Sequence, residues 1–145
     1  MIALRSYHFK MEKVLEYKSR VEKGIIEDYA KINTKLSKEK EHLDSLKSQY
    51  EQNGHKEKPK ADLNNMKMQF LYKEKLKNEM TYQEKKVANI NKKLEEVRID
   101  LVEARKDRKI MENLREKDKE HYEKKIKEHE QKELDDLTIM KYGRR

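Results

Sequence analysis

The sequence predicts an all-α fold: two long helices closed into an antiparallel coiled-coil hairpin, the second longer and overhanging at its C-terminal end. Three observations predict it. Charged residues make up 46% of the 145 and hydrophobic residues only 34%, a balance typical of long helices rather than of a packed globule. Apolar residues recur at steps of three and four on both sides of residues 53–62. That stretch, Asn53-Gly54-His55-Lys56-Glu57-Lys58-Pro59-Lys60-Ala61-Asp62, holds the single proline and one of three glycines, and so reads as a turn. Low hydrophobicity alone also fits disorder; the sustained helical period argues against it. The length fits one domain.

The first helix is expected over about residues 3–53. Its stripe runs Met11, Val14, Tyr17, Val21, Ile25, Tyr29, Ile32, Leu36, Leu43, Leu46 and Tyr50, with Glu39 a polar residue at a seam position. Val14 to Ile25 steps like an eleven-residue repeat, and Leu36, Leu43 and Tyr50 like a heptad. Gly24 lies inside this helix at a cost of about 1 kcal/mol relative to Ala. Gly54 suits the left-handed residue that follows a helix, which places the turn at about 54–61.

The second helix is expected over about 62–142. Asp62 suits an N-cap. The stripe runs Met66, Phe70, Lys73, Leu76, Met80, Gln83, Val87, Ile90, Leu94, Val97, Leu101 and Ala104, a strict heptad from Met80 onward. No proline or glycine falls between Pro59 and Gly143, so the helix is able to run roughly 120 Å at 1.5 Å per residue.

Centring the turn predicts facing residues whose numbers sum to 115 or 116. Leu4/Met111, Met11/Ala104, Leu36/Met80, Leu46/Phe70 and Tyr50/Met66 all obey that rule. In this register residues 115–142 face nothing, an overhang of roughly 40 Å.

Charge and motif content exclude most chemistry. The net charge is +8, from 37 basic and 29 acidic residues, but the two signs interleave along the whole chain. Pairs four apart, such as Glu16/Arg20 and Glu123/Lys127, stabilise exposed helix by roughly 0.2–0.5 kcal/mol each. A nucleic-acid binder concentrates basic charge instead, so no nucleic-acid partner is expected. There is no cysteine, hence no disulfide or thiolate metal site. His8, His42, His55, His121 and His129 are scattered, and position 125, between the closest two, is Lys. Glycine-rich phosphate loops are absent. No enzymatic activity, cofactor or metal is expected. No apolar run of about 18 residues exists and the N-terminus lacks a signal core, so neither membrane insertion nor secretion is expected.

Three stretches resemble one family. Phe9-Lys10-Met11-Glu12-Lys13-Val14-Leu15-Glu16-Tyr17-Lys18 is similar to the opening of FliJ proteins of the flagellar type III export apparatus. Leu101-Val102-Glu103-Ala104-Arg105-Lys106-Asp107-Arg108-Lys109-Ile110-Met111-Glu112-Asn113-Leu114 resembles their Arg/Lys-rich segment, and Glu130-Gln131-Lys132-Glu133-Leu134-Asp135-Asp136-Leu137 their ending. The resemblance covers nearly the whole chain. It implies a cytoplasmic protein, peripheral to the inner face of the cell membrane at the flagellar base, with a coiled coil like the stalk of rotary ATPases. It implies three partners: the export ATPase FliI as a hexamer, the export gate FlhA, and export chaperones. The expected ATPase contact joins Tyr122, Ile126, Leu134, Leu137 and Met140 with Leu4, Tyr7 and Phe9, a helix-in-groove mode of recognition. By local alignment the gate contact falls on Glu39, Leu43, Leu46, Tyr50, Tyr72, Leu76, Glu79 and Gln83. The chain departs from the family pattern at Leu46, Tyr72 and Glu79, and several of these residues also belong to the seam. The alternative is a structural coiled coil that dimerises or scaffolds through its exposed stripes.

Overall fold

A computed structural model describes residues 6–55 and 62–143. Pro59 with most of the expected turn, and Leu4, lie outside these residues. Among the described residues the secondary structure is two helices, α1 (Glu12–His55, 44 residues) and α2 (Leu63–Tyr142, 80 residues). They pack against each other as an antiparallel hairpin.

The bounds of α2 match the expected ones to within a residue. Asp62 stands at the N-cap, its carbonyl accepting from the Met66 amide at 3.1 Å. The start of α1 differs: Ser6–Phe9 is not helical, and the helix begins at Glu12 rather than near residue 3. Aromatic residues are indifferent helix formers, and here Phe9 gains more by burying against Leu15 and Met111. The Glu12 amide donates to the Phe9 carbonyl at 3.2 Å, and the Glu12 carboxylate suits the positive end of the helix dipole. Gly54 also differs from expectation. It lies inside α1 with no positive φ, so it is a helical residue and not a left-handed cap.

The inward positions of α1 are Leu15, Lys18, Glu22, Ile25, Tyr29, Ile32, Leu36, Glu39, Leu43, Leu46, Tyr50 and Asn53, all buried or half-buried. Their steps alternate three and four throughout, so the heptad is unbroken. The expected eleven-residue stretch is therefore corrected. Met11, Val14, Tyr17 and Val21 face solvent, while charged Glu22 is 7% exposed. Glu22 holds its seam position because its carboxylate meets Arg105 at 3.3 Å and also binds Arg108; a paired buried charge is tolerated where a lone one is not. On α2 the inward set runs Lys73, Leu76, Met80, Gln83, Val87, Ile90, Leu94, Val97, Leu101, Ala104, Arg108, Met111 and Arg115. The expected heptad holds from Lys73 to Ala104 and continues beyond it. Met66 and Phe70, expected in the seam, are exposed.

The chain divides into two compact units, Met1–Lys23 with Val102–Arg145, and Gly24–Leu101. In the second unit Glu39 bonds to Gln83, whose numbers sum to 122. The expected register, with Leu36 on Met80, is thus one heptad out. A repeat of seven looks the same after a shift of seven, so apolar spacing alone does not choose between the two. In the first unit Glu12/Arg115, Lys18/Asp107 and Glu22/Arg105 pair, with sums of 125 to 127 in place of the expected 115. Both cores are thin. Leu36, Leu43, Leu46, Leu76 and Ile90 are the buried apolar residues of the second unit, each contributing about 1.5–3 kcal/mol by full burial.

Candidate functional site: a terminal clasp and a hinge-side groove

In the first unit the non-helical segment lays Tyr7 across α2. Its hydroxyl lies 2.8 Å from Asp118 Oδ2 and 3.2 Å from the Arg115 carbonyl oxygen. The nearer acceptor is the carboxylate, a charge-assisted bond. The Tyr7 and Tyr122 rings sit 5.4 Å apart, tilted by 53°, in the range of favourable aromatic pairs. Burial pushes the Tyr7 phenol up to about 12, and the hydrogen bond to the Asp118 carboxylate and its negative charge push the same way. The hydroxyl therefore stays protonated, as its donor role requires. Glu12 and Arg115, 3.3 Å apart, close the clasp. A shallow groove lined by Tyr7, His8, Phe9, Glu112, Arg115 and Lys119 lies beside it.

Beyond the clasp Ile126 is half-buried, and every residue from Lys127 to Gly143 is exposed. This end of α2 is held by its own pairs. Gln131 Nε2 donates to Asp135 at 3.1 Å, Thr138 donates to the Leu134 carbonyl at 2.8 Å, and His129 lies 4.0 Å from Glu133. At about 100° per residue, Tyr122, Ile126, Leu134, Leu137 and Met140 fall within an arc of about 120°. They share one face, in which Glu123, Glu130 and Glu133 are interspersed. Ile139 and Tyr142 are equally exposed but point elsewhere.

In the second unit Gln83 Nε2 donates to Glu39 Oε2 at 2.5 Å and to the Glu39 carbonyl oxygen at 3.0 Å. Lys86 Nζ lies 3.2 Å from Glu39 Oε1. The Gln83 bond first, then Lys86, holds the Glu39 carboxyl below its ordinary range. A groove of about 570 Å³ opens over this layer, lined by Glu39, His42, Leu46, Asn78, Glu79, Tyr82, Gln83 and Lys86. It is shallow and carries no catalytic grouping. Among the described residues no cluster of His, Asp and Glu is placed to hold a metal.

A family profile described as flagellar FliJ protein matches residues 7–145. The chain belongs to the FliJ family. Membership gives it a flagellar, export-related role in a family of non-catalytic components. Comparison with curated proteins and with solved structures finds no match. No described helix is long and apolar enough to cross a membrane.

For this FliJ-family chain the structure brings Tyr7 and Tyr122 together, as the expected ATPase contact had them. Phe9 is placed in the core instead, and Leu4 lies outside the described residues. Leu134, Leu137 and Met140 are exposed. Of the residues expected at the gate, Leu43, Leu46, Leu76 and Gln83 are buried in the seam, Glu39 and Tyr50 are half-buried, and Tyr72 is exposed. Sequence reasoning missed Arg115 and Asp118 as anchors of Tyr7, and Tyr82, which is 69% exposed beside the groove. Only Tyr82 carried a signal, an aromatic residue off the stripe. The anchors sit more than a hundred positions from Tyr7, beyond any local pattern.

Proposed function

We propose that this FliJ-family chain is a non-enzymatic part of the flagellar type III export apparatus that binds and stimulates the export ATPase FliI through its terminal unit. It works in the cytoplasm, peripheral to the membrane at the flagellar base. It meets the export gate FlhA on the groove side of Glu39 and Tyr82, with Tyr72 nearby, and escorts export chaperones. The observation that carries this reading, beside family membership, is the end of α2. Apolar residues share a face there from Tyr122 to Met140, and among the described residues no second helix lies over 127–143. A helix end whose apolar residues no other described helix covers suits insertion into a groove or ring.

The test mixes the full chain with the FliI hexamer and follows ATP hydrolysis. Stimulation by the native chain, and its loss on Leu134→Ser/Leu137→Ser with helicity retained, is the expected outcome. An unchanged turnover with the native chain refutes the proposal. A second reading, a dimeric scaffold, is favoured by exposed Leu63, Met66, Met68 and Phe70 at the start of α2. Light scattering decides it: a dimeric mass supports the scaffold and a monomer eliminates it.

A further inference from the structure

Between the Ile25/Val97 and Leu46/Leu76 layers the seam of the second unit holds one polar layer, the Glu39–Gln83 pair with Lys86, while Lys73 and Asn53 are polar seam residues nearer the turn. Gln83 is 3% exposed, and its amide is satisfied by two oxygens of a single residue. Heptad periodicity makes the rest of the seam indifferent to a displacement of seven residues. After such a displacement Leu36 stands level with Met80, Tyr29 with Val87 and Ile25 with Ile90, so apolar matching survives over that part of the seam. Met66 and Phe70, exposed as observed, come level with Tyr50 and Leu46. Leu43 in turn comes level with Lys73, so apolar burial alone does not exclude the displaced arrangement. What opposes it is polar: Glu39 comes level with Leu76 and Gln83 with Ile32, which leaves a carboxylate and an amide without partners in the seam.

We propose that the Glu39–Gln83 layer is a register lock, selecting the observed pairing over a neighbouring one in which α1 slides about 10 Å along α2. The displaced register draws Met66 into the seam with Phe70 flanking it, so the lock decides whether that apolar surface is presented. This inference does not depend on the export role. Single polar layers set register in other coiled coils by the same physics.

Cysteines report the register. Ile25→Cys with Val97→Cys lies two heptads from the Glu39–Gln83 layer and cross-links in the observed register; Ile25→Cys with Ile90→Cys cross-links in the displaced one. In the native background the 25–97 product forms on mild oxidation and the 25–90 product does not. Moving the carboxylate by one heptad, with Glu39→Ile and Ile32→Glu, sets it opposite Gln83 only in the displaced register. The 25–90 product then rises at least about tenfold, the size expected when a buried polar mismatch changes sides. A second background, Glu39→Leu with Gln83→Leu, removes the lock and gives both products. Circular dichroism checks helicity, and if the moved-lock chain unfolds, the second background decides. Helical variants that yield only the 25–97 product overturn the proposal.

Discussion

Gly24→Ala is expected to stabilise the protein. Gly24 lies in the interior of α1, its φ is not positive, and a Cβ built there meets nothing within 4 Å. The substitution therefore adds a methyl group to open space. It gains the helix-propensity difference between Gly and Ala, about 0.8–1.0 kcal/mol, largely by restricting the unfolded chain. For a chain of this size that raises the melting temperature by about 3 °C. Thermal and urea unfolding followed by far-ultraviolet circular dichroism measure it, with an unchanged urea slope showing that both end states are preserved. The other glycines grade the effect. Gly54 is equally open but sits one residue from the end of α1, where fraying shrinks the gain to less than about half. A Cβ on Gly143 would come within 3.3 Å of the Ile139 carbonyl oxygen, so Gly143→Ala gains nothing. A Gly24→Ala chain that melts at or below the native temperature refutes the reasoning, because it means that position 24 is not an open helical site.

Leu36→Ala removes a side chain 5% exposed in the seam and costs about 2–3 kcal/mol in urea unfolding. Leu134→Ala, on the exposed end of α2, changes stability by less than about 0.5 kcal/mol, and on the proposed function it is expected to weaken ATPase stimulation. Ultraviolet titration is expected to show a tyrosine ionising near 12, and Tyr7→Phe to abolish that step. Its pKa is raised on folding, so the stability it lends is fully present below the ordinary tyrosine value and is lost as pH rises from about 10 to about 12. Glu39 runs the other way. Its carboxyl is held low by Gln83, so its contribution is present above the usual carboxylate range and lost as pH falls through the depressed value. Gln83→Leu therefore flattens the acid limb of a melting-temperature profile.

The two helices and the α2 heptad were legible because a period needs only local spacing. The phase of α1 before Ile25 was not. Val14 and Val21 advertise a core face, yet the seam takes Leu15 and Glu22, since Arg105 and Arg108 wait across it. A local window contains the valines but not the arginines. Register failed for a related reason: a shift by one heptad keeps most apolar matches, and the meeting of Glu39 with Gln83 lies beyond any local window. At the site, the shared face of the apolar residues from Tyr122 to Met140 followed from spacing. Phe9 did not, because an aromatic residue at a chain end reads alike as core or as contact until Met111 is found beneath it.

The end of α2 has one more consequence. Elsewhere in the chain a substitution answers to two demands, since a residue that serves a partner must also fit the seam or its rim. From Lys127 to Tyr142 the second demand is missing. That stretch needs only to remain helical, which its own Gln131–Asp135 and Thr138–Leu134 bonds support. Its sequence is thus free to track whatever it docks into. On the proposed function, an exchange of these residues between relatives is expected to transfer docking preference and to leave the folding of the hairpin untouched.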